Sequence, residues 1–256
     1  MSHSSPFKIL HAIANTPTEF SFEHAVKSGN VVLVWILLET GVTDYRALEL
    51  ACTHGFMDIA RLLIDKNVPA NVNAAFLKAC KFGRIDVVRL RIERCDVDVS
   101  ADENAALINA IEQGQTEIVR LLLDLPLDYG VDPAADDNFP LWRACASGYT
   151  KIVRLLLDLP LERGVDPTFD DSAAFRVACE FGQINSVHQL LDCRFKVDVA
   201  ACDNAAFVSA CRQGYSPVCS LNYRLIEKLI LQHVIILLFF THATHRNLFV
   251  CSLNVE

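Results

Sequence analysis

Apolar residues recur along most of this chain in two alternating rhythms. In the first, Ala75, Phe76, Ala79 and Cys80 stand one helical turn apart, as do Ala106, Leu107, Ala110 and Ile111. That spacing predicts a short helix with one buried face. In the second, denser apolar runs cover 59–64, 87–92, 118–123 and 152–157, each interrupted mainly by arginine at its third place. The two rhythms predict a pair of helices in every unit.

Glycine punctuates the pairs. Gly29, Gly55, Gly83, Gly114, Gly148, Gly182 and Gly214 each have an alanine four residues earlier, at Ala25, Ala51, Ala79, Ala110, Ala144, Ala178 and Ala210. Cysteine follows that alanine at Cys52, Cys80, Cys145, Cys179 and Cys211. Small residues there let neighbouring helices approach. Glycine tolerates the left-handed conformation of a helix C-terminal cap. The glycines are spaced by 26, 28, 31, 34, 34 and 32 residues, read from their numbers. A near-constant period of this size marks a repeat architecture, and the first units are abridged.

The connections carry their own signals. Pro126 and Pro160 end the second helix of their units, because proline lacks an amide and crowds the preceding turn. Val131-Asp132-Pro133 and Val165-Asp166-Pro167 then turn toward the next unit. Asn104, Asn138, Ser172 and Asn204 lie where an N-cap side chain would satisfy free helix amides. The layout predicts an all-α solenoid of stacked antiparallel helix pairs joined by short hairpin loops.

At this point the residues resemble the ankyrin-repeat family, whose motif runs T-P-L-H-x-A-A-x-x-G. The closest copy spans 138–148 and keeps Pro140, Leu141, Ala144 and Gly148, with Phe139 and Trp142 in place of the motif's threonine and histidine. Ala74-Ala75-Phe76, Ala105-Ala106-Leu107 and Ala205-Ala206-Phe207 replace Thr-Pro-Leu elsewhere. The resemblance covers 17–221 in seven copies. It divides the chain into an N-terminal cap over 1–16, an ankyrin-like array over 17–221 and a divergent apolar tail over 222–256.

Composition narrows the function. The charge of −8 opposes the counterion-release attraction that draws basic proteins to nucleic acids, so none is expected as a partner. The ten cysteines are read as thiols rather than a disulfide framework, and no signal peptide opens the chain, which predicts an intracellular, cytoplasmic setting. Arg61, Arg89, Arg120 and Arg154 form a regular row, but Asp65, Glu93, Asp124 and Asp158 follow four residues later. The expectation is a solvated face of i,i+4 pairs, not a phosphate stripe.

No nucleotide-binding loop, zinc-protease helix or nucleophile elbow occurs, and no catalytic residue or cofactor site is expected. His242, His245 and Cys251 are too few for a zinc site with four ligands, so no metal is expected. The chain is expected not to be an enzyme.

Two sets of residues remain as candidates for contact with a partner protein. Thr53/His54, Lys81/Phe82, Glu112/Gln113, Ser147, Glu180/Phe181 and Arg212/Gln213 precede the repeated glycines and vary while their surroundings repeat. The resemblance implies that they line a concave groove, with Phe82 and Phe181 as aromatic anchors or as rings packed between units. The second set comprises Asp102, Asp136 and Asp170, with their acidic neighbours Glu103, Asp137 and Asp171. Acids at a helix N-terminus favour the macrodipole, and a row of them also steers a partner with a basic surface.

The tail offers an alternative. Its stretch 229–240 is apolar apart from Gln232 and His233, which suggests a membrane-attached adaptor. The run falls short of the roughly 20 apolar residues of a spanning helix, so a capping helix is the preferred expectation. The leading reading is a protein-interaction scaffold. A targeting subunit of an enzyme complex is the other alternative.

Overall fold

The computed structural model describes residues 21–94, 97–199, 201–215 and 217. The expected N-terminal cap over 1–16 and the tail over 222–256, with its apolar run and its His242, His245 and Cys251, lie outside the described residues. Within them the chain is all-helical, with no strand.

Its helices pair as the two rhythms require. We number them α1 (Phe22–Lys27), α2 (Val31–Glu39), α3 (Ala47–His54), α4 (Met57–Asp65), α5 (Val72–Lys81), α6 (Ile85–Glu93), α7 (Ala101–Glu112), α8 (Thr116–Leu123), α9 (Ala135–Ser147), α10 (Thr150–Leu157), α11 (Phe169–Glu180), α12 (Ile184–Asp192) and α13 (Ala201–Gln213). Odd numbers are first helices and even numbers second helices. Two 3-10 turns, Leu127–Tyr129 and Leu161–Arg163, occupy the long connections.

The described residues form two compact units. One comprises those up to Pro140 together with Asp158–Val165, and the other comprises Leu141–Leu157 and those from Asp166 onward. In the first unit α1, α3, α5 and α7 pack each on the next, and α2, α4, α6 and α8 do the same. In the second, α11 packs on α13 and α12, and α10 on α12.

The cores are the expected apolar positions. Ala75, Phe76, Ala79 and Cys80 of α5 and Ala106, Leu107, Ala110 and Ile111 of α7 are all buried. Each large aliphatic or aromatic side chain hidden this way contributes about 1.5–3 kcal/mol. Alanine before the glycine has a second use. The Ala51 carbonyl accepts from both Gly55 N (2.9 Å) and Phe56 N (3.0 Å), closing α3 as Gly55 turns left-handed at φ 80°. The fifth repeat cysteine departs from expectation, because Cys211 is exposed while Cys52, Cys80, Cys145 and Cys179 are buried.

The expected N-caps are corrected. Asp102-Glu103-Asn104, Asp136-Asp137-Asn138 and Asp170-Asp171-Ser172 are left-handed throughout, with φ between 47° and 64°. Asn104 and Ser172 are buried and bond onward to the following turn instead of capping their own helix. Asn104 Oδ1 accepts from Asp132 N at 2.9 Å, and Ser172 Oγ accepts from Asp198 N at 3.1 Å. Asparagine and aspartate tolerate the left-handed region better than other side chains, which suits them to this segment. The side chain of Asn204 lies outside the described ones.

In the first unit the arginine row is also corrected. Asp65 pairs with Arg94 of the next helix pair, at 2.5 Å, and Glu39 with Lys66 in the same way, at 2.7 Å. Arg120 meets Glu117, at 4.0 Å, one turn before it. The exposed pairs therefore run between second helices as well as along them, each contributing about 0–1 kcal/mol.

Candidate functional site

The first helices end on two residues whose side chains leave the packed face just before the glycine, except that Ala146 before Gly148 is buried. The first helices of a unit lie side by side, so these ends recur at one register position within each unit. The first unit places Thr53/His54, Lys81/Phe82 and Glu112/Gln113 there. The second places Ser147, Glu180/Phe181 and Arg212/Gln213 there.

Their exposure differs residue by residue. His54, Gln113, Glu180, Arg212 and Gln213 are exposed, and Thr53, Lys81, Glu112 and Ser147 are half-buried. Phe82 is 40% and Phe181 50% exposed, so each ring is partly covered and partly open to solvent. Thr53 is partly committed, its hydroxyl donating to Glu49 O at 2.8 Å. The His54 ring stacks on Phe56, with centroids 5.7 Å apart and planes 24° apart.

Sequence reasoning missed the residue after the glycine. It reaches back to the preceding pair and holds the neighbouring end in place. Arg84 Nη2 donates to Thr53 O (3.0 Å), Gln115 Nε2 to Lys81 O (3.3 Å) and Gln183 Nε2 to Ala146 O (3.3 Å). Aromatic rings do the same by packing, Phe56 lying over Gly29 and Tyr215 over Gly182. A methyl at Gly182 would stand 2.7 Å from Tyr215 Cδ1, so absence of a side chain makes room for the ring. The available signal was length alone, since Phe56, Arg84, Gln115, Tyr149, Gln183 and Tyr215 are long polar or aromatic side chains, and only Asn30 after Gly29 is short.

The acidic set lies at the opposite end of the first helices. Asp102, Asp136 and Asp170 are all exposed, within the left-handed segments. In the second unit Asp170 is partly answered, because Arg176 Nη2 lies 3.3 Å from its carboxylate and Nη1 donates to the Asp170 and Asp171 carbonyls, at 2.6 and 2.8 Å. Asp102 and Asp136 in the first unit keep exposed acidic neighbours, Glu103 and Asp137.

The repeat thiols are suited to packing. Burial pushes Cys52 up to about 12, with the Arg91 charge opposing that rise and Glu49 adding to it. Burial likewise raises Cys80 and Cys145. Among the described residues no cluster of histidine, cysteine, aspartate and glutamate could hold a metal ion, and no helix is long and apolar enough to cross a membrane.

Residues 76–171 match the family model of ankyrin repeats, in three copies. No curated protein matches the chain in sequence. Among solved structures it is similar to the crystal structure of human ASB11 ankyrin repeat domain, with a TM-score of 0.58 and 19% sequence identity. That likeness covers 78% of this chain and 96% of the other, and it extends the fold beyond the matched repeats. An ankyrin repeat domain is generally a protein-interaction module and typically non-catalytic.

Proposed function

We propose that this chain, which carries ankyrin repeats over residues 76–171, binds a partner protein through the ends of its first helices. The carrying observation is the contrast around the repeated glycines. Residues after it tie the stack together, whereas those before it include exposed side chains that change from unit to unit. Variation on a rigid frame is how one architecture serves different partners.

Phe82 and Phe181 are the anchors in this reading. Aromatic groups ringed by polar ones dominate interface energies, and His54, Lys81, Gln113, Glu180 and Arg212 supply polar neighbours along the same positions. The exposed carboxylates of Asp102 and Asp136 favour a partner with a basic surface.

Affinity capture from a cell lysate tests this with the full chain beside its Phe82→Ala, Phe181→Ala variant. A partner retained by the parent and lost from an equally stable variant supports the reading. Equal capture by both baits moves the contact away from the helix ends.

A further inference from the structure

The two long turns of the first unit form a surface that the helix-end reading leaves unused. Residues 125–131 read Leu-Pro-Leu-Asp-Tyr-Gly-Val and 159–165 read Leu-Pro-Leu-Glu-Arg-Gly-Val. In both, proline sets the entry and a left-handed glycine closes a 3-10 turn, Leu127–Tyr129 or Leu161–Arg163. The leucine that opens each turn is held outward, Leu127 at 70% exposure and Leu161 at 64%. Elsewhere in the molecule leucine forms much of the core.

The two turns are joined. Arg163 Nη2 donates to Val131 O at 3.2 Å, and Gly164 lies against the Ala134 methyl. The outward leucines therefore occupy equivalent places on adjoining turns. Their surroundings are acidic, with Asp124, Asp128 and Glu162 exposed. The one cation within the turns, Arg163, is directed to a backbone carbonyl.

The other described connections lack a joined pair of outward leucines, although the 40–46 connection exposes Val42 and Tyr45 beside Asp44 and the exposed Arg46. In the first unit Val68 of the short 66–70 connection is half-buried beside Lys66. In the second, 193–198 reads Cys-Arg-Phe-Lys-Val-Asp, which is basic.

We infer that the paired turns dock a basic amphipathic segment of another protein, its aliphatic side chains covering Leu127 and Leu161 and its lysines or arginines facing Asp124, Asp128 and Glu162. Charge selects this occupant. A second copy of a chain with a net charge of −8 brings like charge to the same surface, whereas a basic segment gains from every carboxylate around the leucines. The leucine pair supplies the apolar contact that charge alone would not make specific.

The test uses the full chain and a fluorescent leucine–lysine peptide of about 15 residues, long enough for an isolated helix. Two control peptides replace all lysines by glutamate or all leucines by serine. The leucine–lysine peptide binds at least about tenfold more tightly than either control. The Leu127→Ser, Leu161→Ser variant loses about tenfold in affinity. The Asp128→Asn, Glu162→Gln variant loses severalfold and has a shallower dependence on salt.

Because the altered side chains are exposed, thermal melts stay unchanged; if the leucine variant melts early, the carboxylate variant decides alone. The Phe82→Ala, Phe181→Ala variant binds the peptide like the parent, which separates this surface from the helix ends. Absent binding, or equal binding to the parent and the altered turns, overturns the inference.

Discussion

Helices α10 and α12 pack against each other in the second unit and hold equivalent places in successive pairs, yet they build their inner faces differently. On α10, Ile152, Val153, Leu156 and Leu157 are all buried aliphatics. On α12 the matching positions are Ser186, Val187, Leu190 and the half-buried Leu191. Ser186 is fully buried and its hydroxyl has no hydrogen-bond partner among the described residues. The comparison teaches that the repeat tolerates a weak layer when its neighbours are strong. In a stack where each pair contacts only adjacent pairs, stability sums over local interfaces.

The largest expected effect comes from breaking the strong layer. Leu156→Ala removes a side chain with no exposed surface and should cost about 3 kcal/mol by urea denaturation. Leu191→Ala, at a half-buried place in the weak layer, should cost about 1 kcal/mol. Equal losses would erase the distinction between the layers.

The entries to neighbouring helices provide a second contrast. Gly182 and Gly214 both have left-handed backbones, at φ 66° and 76°, so a side chain strains either. Only at Gly182 does it also collide with a ring, since among the described residues nothing lies within 4 Å at Gly214. Gly182→Ala should therefore cost about 2–3 kcal/mol and Gly214→Ala about 1 kcal/mol, measured by thermal melts. A Gly214 variant as damaging as the Gly182 one would show that the Tyr215 tie adds nothing.

Repairing the weak layer should have a smaller effect of opposite sign. Ser186→Val removes an unsatisfied buried hydroxyl and supplies apolar groups like those of α10, raising stability by about 1 kcal/mol. A fall in stability would mean that the site has no room for the added methyl groups.

The smallest effect near neutral pH belongs to the repeat thiols. In the first unit Cys52 titrates near 12 when folded, against 9.0 for an ordinary thiol, because burial disfavours the thiolate. Its contribution to stability is full below pH 9 and is lost as pH rises toward 12. At pH 8 iodoacetamide should alkylate exposed Cys211 in the native chain and leave Cys52 unmodified until denaturant is added, as read by mass spectrometry. Modification of Cys52 at the rate of Cys211 would contradict its burial.

Much of the frame was legible because it rests on local chemistry. Alanine and glycine at fixed spacing meant a close helix contact followed by a left-handed cap, and the structure has both at Ala51 and Gly55. The partial exposure of Phe82 and Phe181 was left open by sequence, since a ring at that register could equally have been covered completely between units. The ties from Arg84, Gln115 and Gln183 were hidden because their acceptors are carbonyls 31–37 residues away. Asn104 and Ser172 misled for a related reason. They have the chemistry of N-caps, but a left-handed backbone turns their side chains to an amide of the next turn.

By itself the sequence determined the helix pairs, their boundaries at glycine and the apolar faces they bury, because periodicity and backbone preference act over a few residues. Tertiary structure alone decided which side chains remained outside. It also decided which acids paired between helices, and that Leu127 and Leu161 stand on turns joined by Arg163. Exposure and long-range pairing depend on what the neighbouring repeat covers, and that becomes definite only when the pairs are stacked.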